Sequence, residues 1–154
     1  MIQVNYLSTI LLARLMLPVL RQITAGRTTP GRLVISNASL ALAAQLPNKD
    51  KYPPLVSLDD ASQFDPTEQY SASKLPGHLF VREPVERVPV TDVIVNLADP
   101  GFVKGTKFGR EQSGARAVAS RLMGALAGRD HVAGASTYVD AAVFKGKESH
   151  AASS

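Results

Sequence analysis

The spacing of apolar residues divides the chain into helical and extended segments. Residues 3 to 22 are apolar around most of a helical circumference, which predicts a helix that is largely buried in the core. The run "RLVIS" at 32 to 36 follows a Pro-Gly pair and is rich in β-branched residues, which indicates a short buried strand. The run "VTDVIVNLADPG" at 90 to 101 predicts a second strand that ends in a turn.

A second helix signal lies between these two strands. Asp65 is a suitable N-cap, Pro66 suits the first helical position, and Glu68 follows the cap by three residues. We predict a helix from 66 to about 87. Strand, helix and strand then form a βαβ unit, and such crossovers join parallel strands.

The remaining segments fit one domain that spans residues 1–154. Further helices are predicted at 110 to 127 and at 134 to 144, because apolar residues recur there at helical spacing. Residues 45–65 are rich in Pro and Asp and predict a long polar loop, and residues 146–154 predict a flexible tail. The fold class is therefore α/β, with a parallel sheet of about three strands.

Composition narrows the classes of function. The hydrophobic fraction is 45%, and the 17 basic residues are scattered rather than clustered, which argues against a nucleic-acid partner. The absence of Cys excludes disulfides, a thiolate nucleophile and a Cys-based zinc site, and it favours a cytoplasmic setting. The three His residues are dispersed, so no metal site is expected. Asn5 and Arg14 interrupt the apolar N-terminus, so no membrane span is expected.

The stretch "YSASK" carries the candidate chemistry. Tyr70 and Lys74 are four residues apart and share one face of the predicted helix. A nearby ammonium group favours the phenolate and is expected to lower the tyrosine pKa from about 10. Such a phenol can give a proton to a carbonyl oxygen or take one from an alcohol. A solvated helix face carries the same spacing, so the pair alone does not establish catalysis.

The order of four segments resembles a known family. "VNYLSTILL", "GRLVISNAS", "YSASK" and "VNLADPGFVKGT" resemble, in that order, the central and C-terminal parts of the short-chain dehydrogenases/reductases. The long loop before Tyr70 and the "KESHA" near the end resemble the retinol-dehydrogenase-like and fungal secondary-metabolism branches. The resemblance covers roughly residues 2 to 150. It implies the C-terminal part of a Rossmann-like, doubly wound parallel sheet with flanking helices and with the N-terminal strands missing.

The resemblance also implies roles for particular residues. Tyr70 matches the family's acid/base, and Lys74 matches the residue that binds the nicotinamide ribose and lowers the tyrosine pKa. Asn5 matches the helix Asn that holds a proton-relay water. The segment after the second strand resembles the one that contacts the nicotinamide amide and supplies a following hydroxyl, here with one extra residue before that hydroxyl: Pro100, Gly101, Val103 and Thr106.

The chain departs from the family pattern at several places. It contains no Thr-Gly-x-x-x-Gly-x-Gly turn, which in the family places the cofactor pyrophosphate at a helix N-terminus. A gap-free alignment puts Ala38 at the place of the carbonyl-polarising Ser, whereas a one-residue shift puts Ser39 there, and we take Ser39 as the candidate. Ser8 stands where the family usually has Gly.

Two prolines fall inside the helix that carries Tyr70 and Lys74. Pro76 and Pro84 each remove a backbone donor and clash with the carbonyl four residues back, at about 3 kcal/mol each, so the helix is expected to be disturbed.

Three hypotheses of function follow. The first is an NADP-dependent oxidoreductase that acts on a small-molecule ketone or secondary alcohol. The second is a non-catalytic protein that keeps a dimer surface on helices 3–22 and 66–87, which form a dimer interface in the family. The third is a cyclase or isomerase that uses Tyr70 without a cofactor. Nucleotide binding separates the first hypothesis from the other two.

Overall fold

The two predicted strands pair side by side in a parallel sheet. The computed structural model describes residues 1–46, 50, 64–85, 87–106 and 114–151. In it, β1 (Gly31–Ser36) and β2 (Val93–Ala98) run in register from Gly31 opposite Val93 to Ser36 opposite Ala98. Every residue of β2 is buried, as in a strand that is covered on both faces. The α/β fold with a parallel sheet is confirmed, and the described residues form two strands rather than the expected three.

Helix α2 (Pro66–Val85) connects the strands and begins as predicted. The Asp65 carboxylate accepts from the backbone amides of Thr67 at 2.8 Å and Glu68 at 3.0 Å. The expected disturbance at the prolines is wrong, because the helix continues through Pro76 to Val85. Burial of one face of α2 against the sheet offsets the lost backbone bond, since tertiary packing supplies most helix stability in proteins.

The N-terminal helix is exposed on more of its surface than the sequence predicts. A π-helical segment, Gln3–Ser8, leads into α1 (Thr9–Thr24). Only one stripe of α1 is buried, and it consists of Ile10, Ala13 and Leu17. Large apolar side chains cover the opposite side and are 42–61% exposed: Leu11, Leu12, Leu15, Val19 and Ile23. The prediction of burial on most sides is therefore wrong, because the described elements meet the helix on a single side.

The segment Gln3–Thr24 also has the length and apolarity of a membrane span, with 17% of its most apolar window buried. Core helices of soluble proteins and signal sequences meet the same criterion, so this observation carries little weight by itself.

The core lies between the sheet and the two helices. Alternate residues of β2 face this side, as expected from the two-residue period of a strand. They pack with the buried stripe of α1 and with α2 in one cluster that includes Ile10, Leu17, Ile35, Phe80, Val81, Val93, Val95 and Leu97. This packing holds α2 against the sheet.

The C-terminal part contains two further helices and a docked tail. These are α3 (Gly114–Ala127) and α4 (His131–Val139), and α4 continues as a π-helical segment, Asp140–Phe144. The Arg32 guanidinium of β1 donates to the carbonyl oxygens of Ala141 and Lys145, which ties this segment to the sheet.

Two residues of the predicted flexible tail, His150 and Ala151, are docked on the sheet. The Val95 amide donates to Nδ1 of His150 at 3.1 Å, and the Ala151 amide donates to the Val95 carbonyl at 2.8 Å. These bonds use backbone groups of β2, and residues 152–154 lie outside the described residues. Most of the predicted loop at 45–65 lies outside the described residues.

Candidate active site

Tyr70 and Lys74 lie one turn apart on α2, beside the carboxyl end of β1. Both side chains are half-buried. The Lys74 ammonium nitrogen donates to the carbonyl oxygen of Ser36, the last residue of β1, at 3.2 Å. Ligands of open parallel α/β sheets bind at the carboxyl ends of the strands, so the pair occupies the edge where a site is expected.

The carboxylate of Asp99 organises the end of β2. It accepts from the backbone amide of Ser39 at 2.6 Å and from that of Gly101 at 2.8 Å. Gly101 adopts a φ of +69°, a left-handed conformation that favours glycine. Partial burial raises the pKa of Asp99, but the Ser39 and Gly101 hydrogen bonds and the Arg129 charge outweigh it, so its pKa is lowered. Asp99 is therefore a fixed negative charge at neutral pH.

The two candidates for the carbonyl-polarising position differ from the family arrangement. Ser39 begins a short 3-10 helix, Ser39–Ala43, and its backbone amide donates to the Asp99 carboxylate. Ala38 is buried and has no hydroxyl, and its carbonyl lies 3.4 Å from Nε2 of His78. The role of Ser39 stays a prediction.

Asn5 is linked to the backbone of α2 through the hydroxyl of Ser73. Its side-chain amide donates to the Ser73 hydroxyl at 2.8 Å, and that hydroxyl donates to the Tyr70 carbonyl at 2.7 Å. Asn5 lies in the π-helical segment that precedes α1, and π-helical turns inside helices are frequent at functional sites. The relay role predicted for Asn5 is not tested by these contacts, but its position next to the Tyr70 turn agrees with it.

The segment predicted to contact a nicotinamide follows β2 directly. Val103 bridges to Arg129 through the backbone, and the Thr106 hydroxyl donates to the Val103 carbonyl at 3.1 Å. The Val103 side chain packs on Gly134 of α4. Pro100 and Gly101 form the turn between Asp99 and this segment. The structure thus brings the segment to the same edge of the sheet as Tyr70 and Lys74.

The sequence analysis did not identify Tyr138 as a residue of the candidate site. Its hydroxyl lies 2.7 Å from the Ser36 hydroxyl, although the two residues are 102 positions apart in the chain. Tyr138 is also close enough to Tyr70 to raise the pKa of that phenol. No local pattern points to this contact, because it depends on where α4 packs.

The electrostatics around Tyr70 are opposite to the expectation. Burial raises the pKa of Tyr70 above 10.0, and the Asp99 carboxylate and Tyr138 raise it further. Burial also lowers the pKa of Lys74, against a smaller opposing effect of Asp99. The predicted lowering of the tyrosine pKa is therefore wrong for this structure, because burial, the Asp99 carboxylate and Tyr138 all raise it.

A cleft of about 510 Å³ opens beside Asp99. Asp99 and Arg129 line one side, and residues of α4 and its π-helical continuation line the other: Ser136, Thr137, Val139, Asp140 and Phe144. Its volume is within the range of small-molecule sites. Among the described residues, no group of three or more His, Asp or Glu side chains is placed to hold a metal ion.

Comparisons with known proteins agree with the resemblance seen in the sequence. The chain is 52% identical over 149 residues to short chain dehydrogenase/reductase mfmJ of Annulohypoxylon moriforme. The aligned region covers 97% of this chain and 43% of that protein. It is 36% identical to short chain dehydrogenase opdN of Penicillium oxalicum, over 97% of this chain and 50% of that protein. It is 32% identical to mouse retinol dehydrogenase 14, over 70% of this chain and 28% of that protein.

Other comparisons give no match. No family model matches the chain, and no solved structure does. The chain spans about half the length of the fungal relatives named above. The extent and identity of these matches, together with the parallel βαβ unit and the Tyr70–Lys74 pair, show that the chain belongs to the short-chain dehydrogenase/reductase family.

Proposed function

We propose that the chain provides the catalytic residues of an NADP(H)-dependent oxidoreductase that interconverts ketones and secondary alcohols. The observation that carries the proposal is the position of Tyr70 and Lys74. They share one face of α2 at the carboxyl edge of the sheet, and Lys74 is anchored on the last residue of β1. The cleft that Asp99 and Arg129 line has the volume of a small-molecule site.

The residues present fit the nicotinamide end of such a cofactor. Lys74 would bind the nicotinamide ribose, and the backbone from Pro100 to Val103 would face the nicotinamide amide. The bound cofactor supplies or accepts a hydride, which is chemistry that no side chain of this protein provides.

The electrostatics favour reduction of a ketone over oxidation of an alcohol near neutral pH. Burial, Asp99 and Tyr138 keep the pKa of Tyr70 above its ordinary value, so its phenol is protonated. In reduction, Tyr70 would give this proton to the substrate oxygen, and a bound cofactor would supply the hydride to the carbonyl carbon. In oxidation it must first lose the proton, because it then acts as the base.

The test is a titration of the 154-residue protein with NADPH, followed by cofactor fluorescence. We expect saturable binding that weakens at least tenfold in Lys74→Ala and is unchanged in the control Lys147→Ala, an exposed residue of the 3-10 helix Lys147–Ser149. Reduction of a panel of ketones is then measured by loss of NADPH absorbance. No binding up to millimolar NADPH, by protein shown to be folded, would overturn the proposal.

A second candidate function is non-catalytic self-association. It is favoured by the exposed apolar side of α1, where Leu11, Leu12 and Leu15 are 60–61% exposed. Burial of such a surface between two copies would be stabilising at about 25 cal/mol per Å². Sedimentation equilibrium distinguishes the candidates: a stable dimer that binds no NADPH, and that Leu12→Glu converts to monomer, favours self-association. A monomer without bound nucleotide contradicts both candidates.

A further inference from the structure

Helix α3 presents an apolar side that no described element covers. Four large apolar side chains of this helix are 57–88% exposed: Val118, Leu122, Met123 and Leu126. The helix is attached through its other side, where a Cβ at Gly124 would lie 2.8 Å from Cε1 of Phe102. Leu122 and Leu126 are two positions before and after Gly124, and residues at this spacing lie on nearly opposite sides of a helix. The apolar side of α3 therefore faces away from the protein.

The apolar part of α3 is too short to cross a membrane. It runs from Ala117 to Ala127, whereas a span needs about 20 residues. Apolar segments of roughly 10–14 residues are more often buried core helices or segments that lie in a membrane interface. The exposure of its large side chains argues against a core helix. Exposed apolar patches of this kind mark contacts with other proteins or with membranes.

The charges around α3 favour an anionic lipid surface. The described residues of this region, 100–106 and 114–129, contain no acidic residue and four basic ones: Lys104, Arg116, Arg121 and Arg129. The whole chain has a net charge of +4, so the residues outside this region contribute no net charge. Anionic lipids attract Lys and Arg side chains near the membrane surface, and an apolar helix side with neighbouring cations is typical of interfacial helices.

Two of these cations are available for such a contact. Lys104 lies against the end of α3, since a Cβ at Gly128 would lie 2.8 Å from Cγ of Lys104, and Arg121 lies on α3 itself. Both side chains are exposed, and within the described part of the chain no carboxylate pairs with either of them. Long basic side chains of this kind can lay their aliphatic stems along apolar surface and keep the charged end in water.

We propose that α3 docks on an anionic lipid surface. Leu122 and Leu126 enter the boundary between the headgroups and the acyl chains, and Lys104 and Arg121 bind the negatively charged headgroups. The proposal is independent of the reductase function, because it uses none of the residues of the candidate active site.

Sedimentation with lipid vesicles tests the proposal. The protein is mixed with vesicles of phosphatidylcholine, or of equimolar phosphatidylcholine and phosphatidylserine, and the bound fraction is measured. We expect binding to the anionic vesicles, and we expect Leu126→Glu to weaken it at least tenfold, because an apolar contact is lost and a negative charge is added. The matched control is Leu12→Glu on α1, which should bind as the wild-type protein does. Leu126 is 88% exposed and Leu12 is 61% exposed, so both variants should fold, which circular dichroism checks.

A charge variant tests the electrostatic contribution. We expect Arg121→Gln to weaken binding to the anionic vesicles about fivefold and to make it less sensitive to salt. The control Arg27→Gln, at an exposed position after α1, should change neither property.

Four results would overturn the proposal. The folded protein binds neither kind of vesicle, or it binds both kinds equally. Leu126→Glu binds the anionic vesicles as tightly as the wild-type protein does, or Leu12→Glu loses the binding that Leu126→Glu keeps. A dimer that dissociates in Leu126→Glu, from a protein that binds no vesicles, also overturns it and assigns the apolar side of α3 to a second copy of the chain.

Discussion

The Lys74 ammonium group donates to the carbonyl oxygen of Ser36 at 3.2 Å and thereby ties the middle of α2 to the end of β1. Lys74 is the candidate cofactor ligand, and Ser36 is the residue that contacts Tyr138. The bond therefore links the expected part of the site with the part that the sequence did not indicate. Its loss should affect ligand binding more than folding.

We expect Lys74→Met to lower the free energy of unfolding by no more than about 1.5 kcal/mol, because one hydrogen bond from a partly exposed side chain is lost. Urea unfolding monitored by circular dichroism measures this change, with Lys147→Met as the matched surface control. A loss of several kcal/mol would contradict the expectation. It would also mean that weaker NADPH binding by a Lys74 variant reports unfolding rather than a missing contact.

Asp99 should control the ionisation of Tyr70. After burial, its carboxylate is the next cause of the raised pKa of the phenol, so its removal should lower that pKa. In Asp99→Asn, Tyr70 should ionise at lower pH, and the pH profile of any alcohol oxidation should shift to lower pH in parallel. Ketone reduction, which needs the protonated phenol, should begin to decline at lower pH as well.

Tyrosine ionisation is followed by ultraviolet absorbance difference. The matched control is Asp140→Asn, which removes a carboxylate from the same cleft; Asp140 pairs with Lys145 at 3.5 Å and is not among the causes of the Tyr70 shift. If both variants change the pKa of Tyr70 equally, the change comes from the general charge of the cleft and not from Asp99 in particular.

The features that the sequence predicted correctly depend on local spacing. The i to i+4 period places Tyr70 and Lys74 on one face of a helix, and the Asp65 cap fixes where that helix starts. The two β-branched runs became the two parallel strands for the same reason. These features need no knowledge of distant contacts, because each is set within a few residues.

The features that the sequence did not predict depend on packing between distant segments. The Tyr138–Ser36 contact joins residues 102 positions apart, and the pKa of Tyr70 depends on Asp99, which follows β2. The exposure of Leu12 and its neighbours on α1 depends on which elements cover the helix, which apolarity alone cannot specify. The continuation of α2 through Pro76 likewise reflects tertiary packing that overrides local propensity.

Gly134 should be required for the packing of α4 on the segment after β2. A Cβ at this position would lie 2.6 Å from Cγ2 of Val103, and a β-branched side chain has little freedom to move away. We expect Gly134→Ala to destabilise the protein by about 1–3 kcal/mol and to weaken NADPH binding. Thermal unfolding and the fluorescence titration measure the two effects. Ala135→Ser, at an exposed neighbouring position, should change neither.

His150 should make the stability depend on pH. Its Nδ1 accepts from the Val95 amide at 3.1 Å, which requires this nitrogen to be unprotonated. Burial lowers the pKa of His150, against a smaller opposing effect of the Val88 carbonyl. The unfolded chain therefore takes up a proton near pH 6.5 that the folded protein binds only at lower pH. Stability from this residue is complete above about pH 6.5 and is lost as the pH falls toward the folded pKa.

The measurement is the free energy of unfolding in urea from about pH 7 to about pH 5. We expect His150→Gln to be less stable than the wild-type protein at pH 7 and to lose less stability on acidification, since its amide does not titrate in this range. The control His131→Gln, at an exposed position, should follow the wild-type profile. If His150→Gln keeps the full acid-dependent loss, that loss arises elsewhere, and the docking of the tail on β2 is not the pH-sensitive contact.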